Sequence, residues 1–176
     1  MLFLGRFDPS KRPDLLVRAL SMVAKRGLAF TASFVGGVSN EHSLYPQEVA
    51  DLARDLGIAD RIEFVGAVPN TDTYKYYRSH TIYVNSSKSG MLDKSLFKSI
   101  ACGCLPIFTS ADLGEMIGTE YMFTDGDVDD LATHLAKALS LTDAERERQV
   151  KEFQVGAVEA HTIPVLVTKL LDAMTP

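Results

Sequence analysis

Residues 2–37 read LFLGRFDPSKRPDLLVRALSMVAKRGLAFTASFVGG, and this stretch decides the fold. Leu2 to Leu4 is a short apolar run that reads as a buried strand. Pro13 to Lys25 carries Leu15, Leu16, Ala19, Leu20 and Val23 at helical spacing, and Gly27 stops that helix. Phe30 to Val35 is a second strand, closed by Gly36-Gly37. Strand, helix and strand in so short a span form the unit from which parallel sheets are wound.

The same alternation continues along the chain. Glu48 to Leu56 is predicted helical, with Val49, Leu52, Ala53 and Leu56 on one face and Gly57 as the stop. Arg61 to Val65 is a third strand, followed by Gly66. Asn70 or Thr71 can cap a helix through Ser79, and Thr81 to Val84 is a β-branched and aromatic fourth strand. A helix from Leu92 to Ala101 ends at Gly103; Leu105 to Phe108 and Tyr121 to Phe123 are the fifth and sixth strands. Asp127 to Leu139 is amphipathic, Thr142 opens a highly charged helix, and Pro164 divides the helical region 142–176. The expectation is an α/β fold: a doubly wound, mostly parallel sheet of about six strands with helices on both faces, in a single domain over residues 1–176. In such folds ligands bind beyond the carboxyl ends of the strands, so function is sought in the loops that follow them.

Bulk properties narrow the function. The chain has 176 residues, 46% hydrophobic and 23% charged, which is ordinary for one globular domain. A net charge of -5 argues against non-specific nucleic-acid binding. No apolar run reaches the length of a membrane span, and Arg6 and Asp8 interrupt Met1-Leu2-Phe3-Leu4 too early for a signal peptide. Cys102 and Cys104 are too close for a good disulfide and too few for a zinc site, so both read as small core residues. His42, His80, His134 and His161 share no metal-ligand spacing, and no metal site is expected. The acidic cluster Asp125, Asp127, Asp129 and Asp130 reads as the cap of the next helix, and Tyr77 reads as core rather than as a stacking platform.

Two loops carry chemistry. The first, Gly5-Arg6-Phe7-Asp8-Pro9-Ser10-Lys11-Arg12-Pro13, lacks the three spaced glycines of a dinucleotide-binding loop. It offers cations instead. Arg6 follows the strand end and Lys11 lies at the helix start, a pair suited to a pyrophosphate; the alternative is a solvated basic loop. The second runs Ser86-Ser87-Lys88-Ser89-Gly90-Met91-Leu92-Asp93-Lys94 into a helix, whose free N–H groups and positive dipole end suit an anion; the alternative is an ordinary capped helix.

Taken in order, LGRFDPSKRPDLLVRAL, FVGG, LGIADRIEFVGAVP, YYRSHTIYVNSS, ACGCLPI and FTDGDVDDLATHLAKAL resemble the C-terminal domain of family 4 retaining glycosyltransferases of the GT-B fold, over most of the chain. The resemblance implies a Rossmann-like half that binds a nucleotide-diphosphate sugar. It implies that Gly5 leads into the site and that Arg6 and Lys11 grip the donor diphosphate and support the leaving phosphate. Gly36 stands at a turn near the donor, and Gly66, Ala67 and Val68 stand where main-chain groups meet the nucleobase. Ser89, Gly90, Met91, Leu92, Asp93 and Lys94 surround the helix start that cradles phosphate and sugar. No cofactor or metal is implied beyond the donor, because Arg and Lys do the leaving-group work.

The family usually carries two glutamates where this chain has Gly90 and Lys98; the first contacts the transferred sugar and the second the ribose hydroxyls. Ser89-Gly90 with Asp93-Lys94 resembles a subgroup that also lacks the first. At the second position an ammonium cannot accept hydrogen bonds from ribose, though it can pair with phosphate. Two expectations follow. The first is the donor-binding domain of a glycosyltransferase acting with retention, inactive alone because the N-terminal acceptor-binding domain is absent from these residues. The second, motivated by Lys98, is a degenerate GT-B-like binding or scaffold domain. The first places the chain in the cytoplasm, with peripheral membrane contact open to the full-length protein and no transmembrane segment.

Overall fold

A computed structural model of the chain describes residues 1–88, 93–158 and 165. Among them, five strands form one parallel sheet: β1 (Leu2–Leu4), β2 (Ala32–Val35), β3 (Ile62–Gly66), β4 (Ile82–Val84) and β5 (Leu105–Ile107). Their spatial order is β3-β2-β1-β4-β5. The order reverses direction between β1 and β4, and in folds of this kind ligands bind at the carboxyl edge near such a switch point.

Seven α-helices occur among the described residues: α1 (Pro13–Lys25), α2 (Tyr45–Asp55), α3 (Thr73–Ser79), α4 (Lys94–Ala101), α5 (Ala111–Ile117), α6 (Val128–Ser140) and α7 (Asp143–Phe153). They cover both faces of the sheet; α1 packs on α2 and α6, and α3 on α4. Helices on both faces explain why β1, β4 and β5 are continuously apolar rather than alternating, while β3 at the sheet edge carries the exposed Glu63. Leu2, Phe34, Val35, Ile82, Tyr83, Val84, Leu105 and Ile107 are all buried. Aromatic rings tie the first three strands together: Phe3 stacks on Phe34 at 5.4 Å between centroids, and Phe34 meets Phe64 at 5.4 Å.

Several boundaries differ from the sequence reading, each for a local reason. Tyr121–Phe123 is not a sixth strand but a single parallel bridge, Phe108 to Met122, made by Phe123 N–H donating to the Phe108 carbonyl at 2.9 Å. Helix α2 begins at Tyr45, before Glu48, because Pro46 suits a first helical turn. The helix expected from Asn70 or Thr71 is first a 3-10 turn, Asn70–Asp72, and becomes α-helical at Thr73. Helix α5 was not expected from the sequence; Ser110 caps it by accepting from Leu113 N–H, and its interior Gly114 masks the periodicity. The expected caps Asp127 and Thr142 both form, and Thr142 with Glu145 makes a full capping box. Cys104 is buried against the Tyr77 and His80 carbonyls, and burial pushes its thiol up to about 12. The break expected at Pro164, and His161, lie outside the described residues. No helix among the described residues is long and apolar enough to cross a membrane.

Candidate functional site

The loops after β1, β2 and β3 lie side by side at the carboxyl edge because their backbones bond to one another. Gly5 N–H donates to the Val35 carbonyl at 3.0 Å, Phe7 N–H to Gly37 at 2.8 Å, and Gly36 N–H to Gly66 at 2.8 Å. Only glycine fits at Gly36: a Cβ there would stand 1.7 Å from the Gly5 carbonyl oxygen. This close approach opens a cleft of about 540 Å³ lined by Phe7, Gly36, Gly37, Phe64, Gly66 and Ala67, with Gln47 of α2 on its rim. Its walls are apolar rings and bare backbone, a surface suited to a flat, partly apolar ligand with edge hydrogen bonds. The structure therefore brings together Gly36, Gly66 and Ala67. Val68 follows them half-buried, and Gly5 supplies the floor beneath Gly36.

The second part of the site is the junction of β1, β4 and α4. Lys11 Nζ donates to Asp93 Oδ2 at 2.7 Å, with both side chains largely buried. Asp93 is also the N-cap of α4, its Oδ1 accepting from Ser95 N–H at 3.0 Å, while Asn85 Nδ2 stands 3.4 Å from Oδ2. Burial raises the Asp93 pKa, but the Lys11 and Ser95 hydrogen bonds and the Lys11 charge outweigh it, and the carboxyl titrates below its ordinary range. Tyr83 Oη lies 2.7 Å from Ser95 Oγ and 3.2 Å from the Leu4 carbonyl, which fixes the start of α4 against the end of β1.

Around this junction stand exposed cations. Arg6 is exposed on the loop after β1, and Lys94 is exposed at the first turn of α4. Lys98, one turn further, is exposed, and its Nζ donates to Asn70 Oδ1 at 3.2 Å. Asp8 is held below the ordinary carboxylate range by the Ser10 hydroxyl and N–H, and by the charges of His42 and Arg6. Ser89, Gly90, Met91 and Leu92 lie outside the described residues. No group of three or more His, Cys, Asp or Glu residues among the described ones is placed to hold a metal.

Several residues of the site were not singled out from the sequence. Phe7, Gly37 and Gln47 line the cleft, Asn85 and Tyr83 support the junction, and the Ser86 hydroxyl donates to the carbonyls of Lys11 and Arg12. Gly37 was visible as half of a Gly-Gly pair. The pairing of Lys11 with Asp93 spans 82 residues and had no local signal.

Residues 1–141 match the family model described as glycosyl transferases group 1. A D-inositol 3-phosphate glycosyltransferase of Thermomonospora curvata is 30% identical over 186 aligned residues, covering 99% of this chain and 42% of that protein. A protein of the same name from Acidothermus cellulolyticus is 36% identical over 107 residues, 58% of this chain and 24% of its own length. The chain thus spans less than half the length of the curated relatives it matches. Among solved structures, Anabaena HepE in complex with UDP superposes with a TM-score of 0.86 at 16% identity, over 99% of this chain and 48% of that one. The C-terminal domain of a Francisella tularensis glycosyl transferase group 1 family protein, LpcC, gives 0.80 at 18% identity, over 92% and 85%. These structural likenesses concern the fold, while the family match extends over the strands, loops and helices that build the site: the chain belongs to the group 1 glycosyl transferases, of the GT-B type.

Proposed function

We propose that the chain is the donor-binding domain of a glycosyltransferase that moves a sugar from a nucleotide-diphosphate sugar to an acceptor, with retention at the anomeric carbon. One observation carries the reading: a glycine-lined cleft and a cationic helix start lie along the same sheet edge, flanking the switch point. The nucleoside fits the cleft, where Gly36, Gly66, Ala67 and Val68 offer close backbone approach. The diphosphate then lies towards Arg6, Lys11 and the first turn of α4 with Lys94. Ser89, Gly90, Met91 and Leu92 keep the role that the resemblance gives them, around phosphate and sugar. Arg6 and Lys11 stabilise charge that develops on the leaving diphosphate, so their contribution is electrostatic and needs no metal or cofactor beyond the donor. The acceptor is bound by an N-terminal half outside these residues, which also supplies any peripheral membrane contact of an otherwise cytoplasmic enzyme.

The test is thermal unfolding with UDP, GDP and ADP and their sugar conjugates at millimolar concentration. HepE was solved with UDP, which makes it the first nucleotide to try. A ligand that binds only the folded chain raises the midpoint. A rise with one nucleotide that Lys11→Ala abolishes supports the donor site. No rise with any, in a folded sample, moves the weight to a second reading, a degenerate binding or scaffold domain. The observation behind that reading is Lys98, whose ammonium faces Asn70 and cannot accept from ribose hydroxyls.

A further inference from the structure

Arg12 is the one non-glycine residue with a left-handed backbone among the described residues, at φ 48° and ψ 52°. Glycine is the usual occupant of that region, because a Cβ crowds the neighbouring carbonyl. Pro13 follows and starts α1, and a residue before proline is disfavoured in the right-handed helical region, so the chain has few ways to enter the helix. Such a conformation persists where the surroundings over-determine it. Here they do. Arg12 Nη1 donates to Asp125 Oδ1 at 2.5 Å, in the loop before α6, and the guanidinium lies against Gly126, 3.5 Å from where a Cβ would stand. On the other side, the buried Ser86 hydroxyl bonds the Lys11 and Arg12 carbonyls at 2.7 and 3.0 Å.

The residue that this turn presents is Lys11. The preceding segment is a tight turn, with Lys11 N–H donating to the Asp8 carbonyl and Ser10 N–H to the Asp8 carboxylate, both at 2.8 Å. The left-handed step at Arg12 then separates that turn from the axis of α1. Together they carry the Lys11 ammonium 2.7 Å from Asp93 at the start of α4.

We infer that Arg12 is a positioning residue for Lys11: its ion pair with Asp125 holds the left-handed backbone, and that backbone sets where the Lys11 ammonium points. What Lys11 grips rests on the donor-site reading; the positioning is measurable without any nucleotide. Helices α1 and α6 are thereby coupled to the switch point through one side chain.

The experiment follows the Asp93 carboxyl carbon by NMR through an acid titration of the 176-residue chain, as wild type, Arg12→Ala, Arg12→Gly and Asp125→Asn. In the wild type the Asp93 midpoint is expected below the ordinary carboxylate range, held there by the Lys11 hydrogen bond and charge together with the Ser95 hydrogen bonds. Arg12→Ala and Asp125→Asn keep a side chain at the strained position without its ion pair, and the Asp93 midpoint moves up. Arg12→Gly needs no ion pair to hold the turn, and the wild-type midpoint returns. An Asp93 midpoint unchanged in Arg12→Ala and Asp125→Asn, whatever their melting temperatures, overturns the inference. So does Arg12→Gly behaving like Arg12→Ala. If Arg12→Ala does not fold, the contrast of Asp125→Asn with Arg12→Gly decides alone. UDP affinity is measured alongside, and about tenfold weaker binding in Arg12→Ala with recovery in Arg12→Gly is expected, about 1.4 kcal/mol. Absence of UDP binding in the wild type counts against the donor-site reading, and the titration still decides the positioning.

Discussion

At Gly36 a single hydrogen atom decides whether three loops can meet. Replacing it with alanine drives a Cβ into the Gly5 carbonyl, a backbone atom that cannot swing aside. Gly36→Ala is therefore predicted to destabilise the chain by about 3 kcal/mol or more, read as a lower urea midpoint, and to disrupt the cleft. Asp93 makes a different prediction, because it both caps α4 and pairs with Lys11. Asparagine is also a good cap, so Asp93→Asn isolates the charge. A carboxylate whose folded pKa is depressed contributes stability above its unfolded value near 3.9, and that stability is lost as pH falls through the folded value. Melting curves of wild type and Asp93→Asn should thus differ at neutral pH by about 1–3 kcal/mol and converge in acid. A gap that stays constant down to pH 2 contradicts this. Of the candidate site residues, Lys11 stood out as a cation in the loop after the first strand, whereas Gly36, Gly66 and Ala67, which line one cleft, were named through the family resemblance. Asp93 as partner of Lys11, and the left-handed Arg12, were not legible, since both depend on distant chain segments meeting.

The elements were legible where periodicity was long and obscure where it was short. Helix α1 spans the predicted Pro13–Lys25, because its apolar residues repeat over more than two turns and glycine marks its end. Helix α5 has seven residues with a glycine inside, too few to show a period against a loop background. The sixth strand failed for a related reason: Tyr121, Met122 and Phe123 are apolar enough for a strand, but Tyr121 and Phe123 are buried through packing near the end of β5 rather than through a ladder. Helix α1 matters most, since it joins the cationic loop to α2 and α6. Leu20, fully buried on its core face, is predicted to cost about 3 kcal/mol when cut to alanine, a fall in Tm of about 6–12 °C for a chain of this size. Exposed Arg18 on the same helix should change stability by no more than about 0.5 kcal/mol when replaced by alanine. Equal effects from the two substitutions would contradict the assigned faces.

For the whole molecule, the sheet order points to the switch point as the place for a ligand, and the chain spans less than half the length of the curated relatives it matches. These 176 residues are predicted to bind the donor nucleotide yet show no transfer from a nucleotide sugar to any acceptor; turnover by this chain alone would refute the division of labour. A nucleotide at a hundred times its Kd should add about 2.7 kcal/mol to stability, which corresponds to a Tm rise of about 5–10 °C. The most direct test of the central claim is a nitrogen-15 NMR titration of the chain with UDP, followed amide by amide. The prediction is saturable shifts at Gly36, Gly37, Gly66 and Ala67 together with Lys11 and Lys94, marking nucleoside and diphosphate ends of one ligand across the switch point. Shifts confined to surfaces away from the carboxyl edge of the sheet, or none at millimolar UDP, GDP or ADP, would contradict it.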